Sequence, residues 1–95
     1  MKRYLIEVLL SVKDKEKGEW KFTIKFGDPL KSLSTIIFDD IKNEISEFKK
    51  DGEWEALADL YVGIAKWIFD NEGLQYKNVG SVLNSKGIYD IFVEC

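Results

Sequence analysis

The chain has 95 residues, 45% hydrophobic and 33% charged, with no His, one Cys and one Pro. That length supports one core, burying roughly 60 to 65% of the surface an unfolded chain exposes, and leaves no room for a second domain. Without an imidazole there is no Ser-His or Cys-His nucleophile pair, no His general base and no His-ligated metal, and a single thiol at Cys95 excludes an internal disulfide or a Cys-rich metal site.

Thirteen aromatic residues supply enough apolar surface to argue against intrinsic disorder. Lys2 and Arg3 precede an apolar run that Glu7 and the polar residues 13–17 interrupt, too early for a signal peptide or a membrane span. A cytoplasmic location is the expectation.

Residues 4–12 alternate, with Tyr4, Ile6, Val8, Leu10 and Val12 on one side, and predict a strand. The polar stretch 13–19 carries Gly18 and reads as a hairpin loop. Residues 20–26 give the cleanest alternation: Trp20, Phe22, Ile24 and Phe26 face one way, Lys21, Thr23 and Lys25 the other.

Asp28 before Pro29 then reads as a helix N-cap followed by proline at the first helical position, with Ser32 and Ser34 as alternative starts. At about 100° per residue, Leu30, Leu33, Ile37, Ile41, Ile45 and Phe48 share a face, so the helix is expected to run to about Lys50 and stop at Gly52. A second helix is expected over residues 53–71, ended by Gly73. Residues 74–86 show no consistent period and read as a loop with at most a short element, and residues 88–94 predict a last strand. The expected fold is a single α+β domain over residues 1–95. It is a two-layer arrangement in the order ββααβ, with an antiparallel sheet of about three strands and two antiparallel helices packed on one face.

No phosphate loop, dinucleotide fingerprint, calcium loop or nucleophile elbow can be laid on the sequence. Direct nucleic-acid binding has little support, because Asp14, Glu16 and Glu19 alternate with Lys13, Lys15, Lys17, Lys21 and Lys25 around Trp20. Asp39 and Asp40 are adjacent and diverge on a helix, so they do not form an acid/base pair. The expectation is therefore no enzyme activity, no cofactor and no metal.

Charge is distributed unevenly: residues 1–26 balance at +3, residues 27–72 at −6, and residues 73–95 at zero. Asp40, Glu44 and Glu47 follow i, i+4, i+7 spacing and repel by a few tenths of a kcal/mol per pair unless a cationic partner offsets them. The second helix carries an apolar arc of about 220°, wider than a two-layer domain needs, with Trp67 and Phe69 near its opposite edges as anchors for an interface. The competing readings are a solvated acidic surface for the first feature and ordinary core packing for the second.

These features predict a non-enzymatic, protein-binding inhibitor that docks an acidic helical face on another protein. A toxin-neutralising immunity protein or antitoxin, or an inhibitor of a nuclease with a basic site, has this kind of surface. The expected contact residues are Asp39, Asp40, Glu44, Glu47, Asp51, Glu53, Trp54, Glu55 and Trp67. The alternative is a small homodimeric structural or adaptor module using the apolar helix face or the edge of the last strand.

Overall fold

The computed structural model of the protein describes residues 3–26 and 31–95. Five strands and two helices follow in the order β1 (Arg3–Asp14), β2 (Glu19–Phe26), β3 (Lys31–Phe38), α1 (Asp39–Asp51), α2 (Trp54–Asn71), β4 (Asn78–Leu83) and β5 (Tyr89–Glu94). The sheet order is β3-β2-β1-β5-β4, and every neighbouring pair is antiparallel. The α+β class and the antiparallel sheet are as expected, but among the described residues five strands replace the expected three or so, in the order βββααββ.

The first extra strand overturns the expected start of the first helix. Leu33 and Ile37 lie four residues apart, a spacing that puts them on one face of a helix and equally on one face of a strand. The residues between and around them decide. Ser32, Ser34, Thr35, Ile36, Ile37 and Phe38 are weak helix formers, and the β-branched and aromatic ones suit a pleated surface. Leu33 therefore pairs with Ile24, Thr35 with Phe22 and Ile37 with Trp20, and the helix begins only at Asp39. The Asp28-Pro29 cap falls outside the described residues.

The second extra strand, β4, lies in the segment expected to be a loop. Its period is broken by Gly80, and the structure supplies the reason: a Cβ there would stand 2.9 Å from the ring of Phe92. Gly80 and Phe92 are register partners, so the glycine makes room for a large ring directly across the ladder. On the helix-free face, Phe92 is buried beneath the Arg3 guanidinium, which lies 4.1 Å from the ring centroid.

Both helices cover the other face of the sheet. The core there joins Ile6, Phe22, Ile24, Ile37, Val79, Ile91 and Val93 from the strands to Ile45 of α1 and to Leu57, Ala58, Ala65, Ile68 and Phe69 of α2. Phe69 is 1% exposed, so it belongs to the core and is no surface anchor. The wide apolar arc of α2 is thus largely consumed by packing on the sheet and by the ring of Tyr76, 5.6 Å from that of Phe69. The last strand has no free edge, because β5 lies between β1 and β4. Neither helix is long and apolar enough to cross a membrane.

The helix ends form as their glycines dictate. Gly52 at φ 70° lets its own N–H reach the Lys49 carbonyl and the Glu53 N–H reach that of Phe48. Gly73, also at φ 70°, repeats the arrangement with Asp70 and Phe69.

Candidate functional site

All nine residues expected at the interface are exposed. Asp39, Asp40, Glu44, Glu47 and Asp51 belong to α1, Glu53 occupies the N-cap position of α2 without a side-chain cap bond, and Trp54, Glu55 and Trp67 lie within the helix. The structure divides this set into three groups.

Asp39 is committed internally. Its Oδ1 accepts a 2.7 Å hydrogen bond from the Trp20 indole, and its Oδ2 lies where a Cβ on Gly18 would come within 2.7 Å. Lys42 completes the cluster, with its ammonium 5.1 Å from the centre of the Trp20 ring. The side chain thus ties the first hairpin to the start of α1. That hairpin turn is itself fixed by Asp14, whose Oδ1 accepts from the Glu16 and Lys17 N–H groups.

The remaining acids of α1 and of the helix turn have no cationic partner within 4 Å among the described residues, where the one ion pair is Arg3–Glu94 at 3.4 Å. Position separates them further. Asp40, Glu53 and Glu55 stand near helix N-termini, where the dipole favours an anion, whereas Asp51 ends α1, where the dipole opposes it. Among the described residues, no acidic or thiol side chains gather into a group that could hold a metal ion.

Trp54 and Trp67 stand at opposite ends of α2, 53% and 55% exposed. Each borders a separate groove. The Trp54 groove, about 400 Å³, is lined by Trp54, Leu57, Ala58 and Tyr61 from α2 and by Gly87, Ile88 and Tyr89 from the start of β5 and the turn before it. Beside it lies an open hollow bordered by Gly52, Glu53, Glu55, Ala56 and Asp59, which shares Trp54 and Tyr89 with the groove. The Trp67 groove, about 490 Å³, runs between β3 and the helices and is lined by Ile36, Ile37, Phe38, Ile41, Leu60, Gly63, Ile64 and Asp59.

Trp54 is therefore continuous with Glu53 and Glu55, while Trp67 is separate from them. Tyr61, Ile88 and Tyr89 were not expected at a site. Tyr61 was legible as a neighbour of Leu57 one helical turn on, but nothing in the sequence brings residues 87–89 to the same place, because their approach depends on the β4–β5 hairpin. Burial raises the Tyr61 phenol above its ordinary value of 10.0, so it is a neutral hydrogen-bonding group at neutral pH. No protein-family model, curated protein or solved structure gives a significant match to this chain.

Proposed function

We propose that this domain is a non-enzymatic binding module that docks the acidic face of α1 and the α1–α2 turn onto a basic surface of another protein, with Trp54 as its aromatic anchor. The observation that carries this reading is the continuity of Glu53 and Glu55, exposed and without an ion-pair partner among the described residues, with the half-exposed ring of Trp54. Charge of one sign beside an aromatic side chain combines long-range steering with a buried contact. Within this class, a toxin-neutralising immunity protein or an inhibitor of a nucleic-acid enzyme fits best, since such partners present basic sites that an acidic face can occlude without chemistry.

The test starts with affinity capture from the native host and proceeds to association kinetics with the purified partner. The association rate is expected to fall as ionic strength rises from about 0.05 to 0.5 M. It should fall further when Asp40, Glu44 and Glu47 are changed together to Lys. A rate indifferent to both changes removes the proposal.

A homodimeric module is the second reading, supported by the Trp67 groove, whose lining is almost wholly aliphatic and aromatic and which lies beside the edge strand β3. Sedimentation decides it. A dimer that persists in the triple Lys variant and dissociates in Trp67→Ala favours self-assembly.

A further inference from the structure

The groove at Trp54 combines two kinds of wall. Trp54, Tyr61 and Tyr89 contribute aromatic rings, and Leu57, Ala58 and Ile88 contribute aliphatic surface. Where Trp54 and Tyr89 continue into the adjoining hollow, the walls become the carboxylates of Glu53, Glu55 and Asp59. Among the described residues, no Lys or Arg lines either space. An occupant that satisfies both parts needs an apolar stem and a cationic head able to lie against a ring.

We infer that this groove takes an arginine side chain from the partner protein, its methylene stem along Leu57 and Ile88 and its guanidinium against Trp54 and Tyr89, facing Glu53 and Glu55. The inference rests on the proposed docking role and names the chemistry of its central contact. Arginine suits the walls better than lysine. Its planar, weakly hydrated guanidinium stacks on aromatic faces and presents paired donors to carboxylates, whereas an ammonium is a compact and strongly hydrated point charge. A purely apolar side chain would fill the groove and leave the carboxylates unused.

The far wall is already set for such a contact. Gly87 turns at φ 79°, and the Asn84 Oδ1 accepts from both the Lys86 and Ile88 N–H groups while its Nδ2 donates to Asp90 at 3.3 Å. A loop fixed in this way loses little freedom on binding.

The experiment is a titration of the isotope-labelled full chain, followed by NMR, with three capped peptides alternating glycine with arginine, lysine or the neutral arginine isostere citrulline. The arginine peptide is expected to shift the Trp54 indole N–H and the backbone amides of residues 87–89 saturably, the lysine peptide to bind more weakly, and the citrulline peptide to leave them in place. Trp54→Ala and Trp54→Leu should each weaken the arginine peptide by about tenfold, and Trp67→Ala should leave it unchanged. The leucine variant keeps the apolar bulk and removes the π face, so a loss there does not reduce to lost volume.

Equal binding of the citrulline or lysine peptide overturns the inference, as do shifts confined to α1 or an unaltered affinity in both Trp54 variants. If the peptide fails while the captured partner still associates in a salt-dependent way, the groove assignment falls and the acidic-face proposal stands. If the peptide binds at residues 87–89 and the partner's rate ignores salt, the reverse holds.

Discussion

The two ends of α2 present tryptophans of nearly equal exposure on unlike ground. At the N-terminal end, Trp54 stands among Tyr61, Tyr89, Glu53 and Glu55. At the other, Trp67 stands among Ile36, Phe38, Ile41, Leu60 and Ile64, with Asp59 as the charged residue in the lining. An exposed aromatic ring is common on small proteins. Its neighbours decide whether it suits a charged partner, an apolar one or none, so the same residue type supports a docking anchor at one end and, at most, a self-association contact at the other.

The comparison assumes that neither ring supports the fold, and the largest expected effects test that assumption. Leu57 lies beneath the Trp54 end and Phe69 beneath the Trp67 end, 5% and 1% exposed. Leu57→Ala is expected to cost about 2–5 kcal/mol and Phe69→Ala about 3–5 kcal/mol, through lost burial and the cavities left behind. Trp54→Ala and Trp67→Ala should each stay within about 1 kcal/mol. Urea unfolding of the four variants reads all of these. A tryptophan variant that loses as much as Leu57→Ala makes that ring a structural element and ends the comparison.

A smaller effect sharpens the boundary of the acidic face. Asp39 and Asp40 are adjacent and both exposed, but Asp39 accepts the Trp20 indole N–H while the Asp40 side chain accepts, among the described residues, only from the neighbouring Ile41 N–H. Asp39→Ala is expected to destabilise by about 1 kcal/mol, below the range of about 1.5–3 kcal/mol for a bond to a charged acceptor because the site is wet, and Asp40→Ala by less than about 0.5 kcal/mol. Partner affinity should respond the other way round, falling with Asp40→Ala more than with Asp39→Ala. Equal stability losses would return Asp39 to the docking set.

How much of this was legible follows from which interactions are local. The first hairpin, the stops at Gly52 and Gly73, α2 and the last strand are all set by short-range patterns, and the structure has them where the sequence places them. Residues 31–38 misled because a four-residue apolar spacing fits two periods, and only the serines and β-branched residues between them separate the two. β4 was hidden because Gly80 answers to Phe92, a partner twelve residues away whose position is visible only once the strands pair. The acidic stripe and both tryptophans were legible as surface. The groove was not, since Tyr89 comes to line the same groove as Tyr61 through a β4–β5 hairpin that the sequence did not announce.

The smallest expected effect concerns two tyrosines, Tyr61 in the Trp54 groove and Tyr76 beyond the C-terminal end of α2. Tyr61, in the Trp54 groove, has its phenol raised above 10.0 by burial alone, whereas Tyr76, whose ring packs on Phe69, is raised by burial and further by the hydrogen bond it donates to Asp70 at 3.0 Å and by that residue's charge. In both cases the folded value lies above the unfolded one. The stabilisation is therefore fully present below pH 10 and is lost as the pH rises through the folded values, because the unfolded chain releases its protons first. Asp70→Asn keeps an acceptor and removes the charge, so it is expected to bring the Tyr76 phenol closer to its ordinary range and leave Tyr61 where it is. Phenolate absorbance, with Tyr61→Phe and Tyr76→Phe to assign the steps, separates the two titrations. A shift of the Tyr61 step in Asp70→Asn would mean that the ends of α2 are electrostatically coupled, and the contrast between a charged groove and an apolar one would then have to be drawn for the helix as a whole.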